Sequence, residues 1–308
     1  MAELDLVLDN VRLAMASGAD PSMLLTVALA SISPRTVDEA FQRLEAMKPE
    51  ILALVAAGPG EQERRPAELD AESRAFPEVG QMRPDLGDHE VRGRLLFGEL
   101  LGRKSFFQLG ALAIAGLDLS AEEGQFLDDS GVLTQLLDPK IWPLAVARRI
   151  GARGAGLAHA LVAGLACLCT PRMTGLPVGA FMRFLERVEV RISRGAPLEQ
   201  VLDEVRAQGE RVPGIGRPVV GPDERVPEIK KLASRYRLDS GASWRLALAI
   251  DEYFAGRGKV RINSAGLQGA LLRDLGFSPT AASALCMIYF IVPVLANAVY
   301  LESRERII

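Results

Sequence analysis

The chain has 308 residues, 49% of them hydrophobic and 24% charged, a length and balance that suit a soluble globular protein with room for two domains. A net charge of −3 leaves no electrostatic footprint for nucleic acid or an anionic membrane surface. The three cysteines, Cys167, Cys169 and Cys286, are odd in number and two share one apolar run, which argues for reduced thiols rather than a disulfide framework.

The N-terminus reads Met-Ala-Glu-Leu-Asp and lacks the basic start of a secretory signal, so the cytoplasm is the expected location. Leu4, Val7, Leu8, Val11 and Met15 fall at helical spacing, and Gly18 with Pro21 ends that run. A second short helix is expected after Pro21. A third is expected after Pro34, capped by Thr36 or Asp38 and carrying Phe41, Leu44, Met47, Ile51 and Leu54. Residues 58–90 are rich in Pro, Gly, Glu and Arg with little periodicity and read as a linker or a long surface segment.

From Val91 the pattern is regular. An apolar helix is expected from Ser105-Phe106-Phe107 to Gly116, and Ser120-Ala-Glu-Glu is a capping-box pattern for the next. Ile141–Ile150 reads as a helix, and Gly156–Cys169 as a small-residue helix expected to lie centrally. Met182–Ile192, Pro197–Ala207, Pro227–Arg237, Ala242–Ala255, Gly266–Leu275 and Ser278–Glu302 follow as helices, with Lys259–Ser264 irregular. Strand signals are sparse, and the chain reads as all-α. Ala281–Tyr300 is twenty residues without a charge, long enough to span a bilayer, but a single such run with Pro293 and Asn297 inside it suits a buried core helix better.

Between two helices lies Val212–Arg225, VPGIGRPVVGPDER, with three glycines and three prolines. Prolines remove donors and push the preceding residue towards extended backbone, so this is a shaped, non-helical loop of the kind that carries function. The Cys167-x-Cys169 pair has its nearest histidine, His159, eight residues back, about 12 Å along a helix, so buried thiols fit better than a metal site.

Four stretches in this order resemble motifs of the citrate synthase superfamily, which includes methylcitrate synthases and citryl-CoA lyases: GRLLFGELLGRKSF, VARRIGARGAGLAHALVAGLACL, VPGIGRPVVGPDER and INSAGLQGALLRDLGFSP, together spanning about residues 91–303. The resemblance implies a large helical domain (91–178 with 277–308), an inserted small helical domain (179–276), and an N-terminal extension over 1–90. It also implies an obligate dimer, CoA or acyl-CoA as substrate, and no metal. In the family an aspartate base and two histidines act on the carbon next to a CoA thioester.

Each implied catalytic position is substituted here. The first histidine falls at Met173, the second at Arg217 and the aspartate at Ala265, while a further substrate histidine falls near Asp138 or Pro139. The whole chain has two histidines, His89 in the expected linker and His159 in the small-residue helix, where a packing role is the simpler reading. Arg225 matches the arginine that binds a carboxylate of the oxoacid, although a salt bridge near a helix start would account for it equally well. The second substrate arginine falls at about Phe290 or Ile291. Val212, Gly214, Ile215 and Gly216 match the loop whose backbone contacts the adenine end of CoA. Arg217 could polarise a carbonyl as a fixed cation, but a guanidinium cannot shuttle protons. Asp223, Glu224, Asp251, Glu252 and Asp274 are read as capping or surface residues.

Two functions follow. The preferred one is an acyl-CoA-dependent carbon–carbon lyase or transferase with altered substrate and mechanism. The alternative is a non-catalytic binding or regulatory subunit, in a homodimer or paired with a catalytic paralogue. Citrate synthase activity itself is not expected.

Overall fold

A computed structural model describes residues 42, 46–53, 56, 79–152, 156–168, 173–217, 221–258 and 260–300. The chain divides into two units, Met1–Glu78 and Val79–Ile308. In the first, residues 46–53 are helical, with Met47 and Ile51 buried one turn apart as their spacing predicts. The two earlier expected helices, and Phe41, Leu44 and Leu54 of the third, lie outside the described residues.

The second unit opens with a feature that helical periodicity does not reveal. Strands β1 (Gly80–Arg83), β2 (Asp88–Val91) and β3 (Arg94–Leu95) form a small antiparallel sheet in the order β1-β2-β3, so residues 80–90 are not a linker. Arg92 and Gly93, both with positive φ (50° and 78°), make the two-residue turn between β2 and β3. The carboxylate of Asp88 accepts from the amides of Phe97 and Gly98 at 2.9 Å each, anchoring the π-helical turn Leu96–Leu100. His89 sits in β2, edge-on to Phe97.

Eleven helices follow among the described residues: α1 (Phe106–Ala115), α2 (Ala121–Leu133), α3 (Trp142–Gly151), α4 (Leu157–Leu168), α5 (Leu176–Ser193), α6 (Leu198–Ala207), α7 (Val226–Arg235), α8 (Ala242–Arg257), α9 (Ser264–Asp274), α10 (Pro279–Ile288) and α11 (Ile291–Ala298). Reciprocal capping boxes start α1 (Ser105 with Gln108) and α2 (Ser120 with Glu123). Asp274, at the end of α9, accepts from the amides of Ser243 and Trp244 and so caps α8.

The last helix expected from the sequence is two. Pro293 has no N–H to offer Tyr289, one turn back, and its ring crowds that carbonyl. The helix breaks at Tyr289–Phe290, and the freed Tyr289 carbonyl accepts from Gln135 Nε2 at 3.0 Å. Pro279–Ala298 is long and apolar enough to cross a membrane, with mean hydropathy 1.9, yet 56% of that stretch is buried inside the protein.

The main core is built on α5. Phe181, Met182, Phe184 and Leu185 are fully buried there against Leu267 and Leu271 of α9 and Leu285 of α10. A second cluster joins Leu144 and Ala147 of α3, Leu168 of α4 and Val294 of α11. The small-residue helix α4 is not central. One side packs closely, since a Cβ at Gly164 would lie 2.6 Å from Val294, but Leu157 and Val162 on the other side are 49% and 41% exposed.

The approach of α5 to α10 depends on small residues. A Cβ at Gly179 would fall 2.3 Å from the Pro279 carbonyl oxygen, which is backbone and cannot swing aside. Gly179→Ala is expected to destabilise the protein by about 1–3 kcal/mol, read as a lower urea midpoint with an unchanged m-value.

Candidate functional site

Two segments separated by some fifty residues meet at the site's back wall. Ile215 and Ile262 form an isolated antiparallel bridge, the Gly216 amide donates to Arg261 O at 2.8 Å, and the Asn263 amide donates to Gly214 O at 2.9 Å. Gly214 must be glycine on two counts. Its φ is +74°, and a Cβ would fall 2.8 Å from both the Gly266 Cα and the Phe181 ring. Asn263 caps α9 by accepting from the amides of Ala265 and Gly266, and its Nδ2 donates to Gly216 O. Asp251, buried on α8, takes both arms of Arg261 and the Ile262 amide, which fixes the irregular piece before α9.

The turn before α7 carries the charged groups. Asp223, with its side chain 1% exposed, accepts from Arg225 Nε (2.8 Å) and Nη2 (2.9 Å), from the Arg225 amide (3.2 Å) and from the Ser264 amide (2.9 Å). Burial by itself would raise its pKa, but the Arg225 fork and the two amides outweigh it and bring the value down to about 2. Arg217 donates to Pro222 O (2.8 Å) and to Glu224 (2.5 Å). Its hydrogen bond and charge hold the Glu224 carboxyl below its usual range.

These segments close a cavity of about 350 Å3. Met173, Arg217, Arg225 and Ala265 all line it, as do Asp138 and Phe290, although they come from five separate stretches of sequence. Pro139 and Ile291 are not in its wall. A second cavity of about 380 Å3 is lined by Arg206, Arg211, Arg217 and Arg257, with Glu210 and with Val212, Ile215 and Gly216 of the loop. Gly214 lies behind that wall, against Phe181 and Gly266, and lines neither cavity. Arg217 lines both.

The first cavity is poor in proton-transfer groups. Arg225 is in the wall, but its fork is filled by Asp223. Cys286, buried, has its thiol pushed up to about 12, and burial likewise raises the Tyr289 phenol, which donates to Leu127 O. Gln268 Nε2 is turned to the Thr134 hydroxyl. The burial of Asp223 and the part played by Thr134, Gln268, Cys286 and Tyr289 are missed by sequence reasoning; the Asp-x-Arg spacing of Asp223 and Arg225 was the available signal. His159 is half-buried on α4 and lines neither cavity. Among the described residues no three His, Cys, Asp or Glu side chains cluster as a metal site would require.

The sequence model of the citrate synthase C-terminal domain matches residues 145–308. No curated protein matches the sequence. Among solved structures, citryl-CoA lyase from Hydrogenobacter thermophilus superposes with a TM-score of 0.62 at 21% identity, over 72% of this chain and 85% of that one. ATP citrate lyase from Methanothrix soehngenii, in complex with citrate and coenzyme A, gives 0.61 at 18% identity over 93% of this chain and 50% of that one, so this chain spans half its length. Citrate synthase from Thermoplasma acidophilum, with carboxymethyl coenzyme A and oxaloacetate, gives 0.52 at 14% identity over 99% and 74%. At these identities the likeness is one of fold, an all-α citrate synthase-like architecture.

The Asp223 linkage has a definite sign. Its folded pKa lies below that of a free aspartate, so its contribution is complete above about pH 4 and is lost as the pH falls towards 2. Asp223→Asn is expected to remove about 2 kcal/mol at neutral pH and to flatten the fall in stability between pH 4 and 2, measured by denaturant unfolding across that range.

Proposed function

Because the chain belongs to the citrate synthase family, we propose that it binds CoA or an acyl-CoA across the two cavities that meet at Arg217, without the family's enolate chemistry. The observation that carries this is the sharing of Arg217 between an arginine-lined cavity and a largely apolar one. Arg206, Arg211 and Arg257 suit the phosphates of CoA, since guanidinium groups pair with phosphate oxygens. The wall of Val212, Ile215 and Gly216 offers the flat side for the adenine end. Arg217 then stands by the thioester carbonyl. The structures of ATP citrate lyase with coenzyme A or (3S)-citryl-CoA bound accord with a thioester in this fold.

Enolate formation needs a base at the alpha carbon and a donor at the thioester oxygen. Ala265 and Met173 supply neither, and Asp223 and Glu224 are engaged by arginines. One observation favours a second reading, an acyl-CoA lyase or transferase with altered chemistry. Asp138 lines the cavity, is exposed, and among the described residues is in no ion pair, its carboxylate accepting only the Lys140 amide. It would be the base in that reading.

A second copy of the chain is the partner we propose for the layer formed by α3, α4 and α11. Trp142, Leu157, Val162 and Val292 from these helices are 41–59% exposed, an apolar surface that suits burial in an interface.

Calorimetry should show CoA binding, with Arg217→Ala weakening acetyl-CoA by roughly tenfold, about 1.4 kcal/mol; absence of binding at millimolar CoA sinks the reading. CoA release from acyl-CoA substrates that disappears in Asp138→Asn would establish the enzyme reading over the binding one. Light scattering should show a dimer that Val162→Glu converts to monomer.

A further inference from the structure

With the cleft read as a CoA-thioester site, the cavity beyond Arg217 receives the acyl group. Five charged groups line that cavity: Arg217 and Arg225 against Asp138, Asp223 and Glu224. Two cations face three carboxylates, so the lining carries no positive excess for an incoming acid. Arg225, the group best placed to receive a carboxylate, is engaged through Nε and Nη2 by Asp223, which is itself buried and cannot turn away to water. Displacing it would strand a buried charge, at a cost of several kcal/mol. The one arginine whose partner can be displaced cheaply is Arg217, at the junction with the second cavity, so a carboxylate carried deeper into this cavity meets no free cation.

Much of the rest of the wall is hydrocarbon. Leu136, Ile141, Leu144, Leu168 and Met173 come from the first half of the unit, and Phe290 from near its end. Leu144 and Leu168 are almost fully buried, part of the packed α3–α4–α11 cluster, so this wall is fixed. The uncharged polar groups in the lining are engaged within the protein. The Tyr289 hydroxyl donates to the Leu127 carbonyl, Gln268 Nε2 to the Thr134 hydroxyl and the Thr174 hydroxyl to the Met173 carbonyl. The Ser264 amide is spent on Asp223, and the Asn263 side chain on the start of α9 and on Gly216 O; Cys286 is buried.

We propose that this cavity takes the unbranched hydrocarbon chain of an acyl-CoA, of medium length, in place of a short carboxylated acid. At the ~30 Å3 that one small group such as water fills in the liquid, the volume admits about ten such groups, and it falls within the range of small-molecule sites. The thioester carbonyl lies at the junction beside Arg217, the chain runs along the leucine and phenylalanine wall, and the CoA body lies on the arginine side. No bond is made or broken in this step.

The test is calorimetry on the full chain with CoA, acetyl-CoA, octanoyl-CoA and succinyl-CoA. Each buried methylene adds roughly three- to fourfold in affinity, so octanoyl-CoA should bind on the order of a hundredfold tighter than acetyl-CoA once incomplete burial is allowed for. Succinyl-CoA should bind no tighter than acetyl-CoA. Ala265→Phe, which fills the cavity from its wall, should bring the octanoyl-to-acetyl ratio close to one; the smaller Ala265→Leu gives the same comparison if the phenylalanine variant does not fold. Equal affinity for acetyl-CoA and octanoyl-CoA, or a preference for succinyl-CoA, overturns the hydrocarbon assignment while leaving CoA binding intact. Failure of every thioester and of CoA itself overturns both.

Discussion

The carboxylate of Asp223 is the point on which the cleft depends. It is nearly inaccessible, and a buried charge persists only where enough donors surround it. Those donors come from two places: the Arg225 fork and amide on its own turn, and the Ser264 amide at the start of α9. The ion pair therefore does more than neutralise an arginine. It clamps the turn before α7 onto the N-terminus of α9, where the helix dipole also favours a negative charge. The Gly214–Gly266 approach and the Ile215–Ile262 bridge extend the same contact along the loop. One consequence is chemical: the Nε–Nη2 edge of Arg225 is committed to the fold.

How much of this the sequence discloses varies with the kind of signal. The helices of the second unit are legible because Ser105 and Ser120 announce their starts and apolar residues recur at helical spacing. The small sheet is not, since its strands are two to four residues long and mostly exposed or half-exposed, so they carry no alternation. The break at Tyr289–Phe290 is hidden because Pro293 acts one turn upstream, inside a run that is apolar throughout. Composition placed α4 at the centre, but small residues also serve where one face meets a neighbouring helix and the other is open. At the site, motif order was enough to bring Met173, Arg217, Arg225 and Ala265 to one cavity. It could not show that Arg225 is occupied, because an aspartate two residues before an arginine looks the same in sequence whether exposed or buried.

The residues expected to replace the family's catalytic groups would be physically consistent with one another. Catalytic groups that act as a unit lose their value together. With alanine where the base is expected, donors kept at the other positions would be buried polar groups short of partners, each costing about 1–3 kcal/mol. Methionine at 173 and phenylalanine at 290 avoid that cost and add packing. The result is a cavity with Met173 and Phe290 in an otherwise mixed wall.

The two cavity arginines differ in what they can still do. Arg225 is paired with an aspartate that is 1% exposed, and removing it would leave a charge stranded in the interior. Arg217 is paired with Glu224, whose side chain is 66% exposed, and an exposed pair of that kind contributes about 0–1 kcal/mol. Glu224 can turn to water at little cost, so Arg217 can exchange it for a polar group on a ligand. Arg217 is also the residue common to both cavities. The division of labour follows from burial alone: Arg225 holds the cleft together, and Arg217 is the cation left for whatever bridges the two cavities.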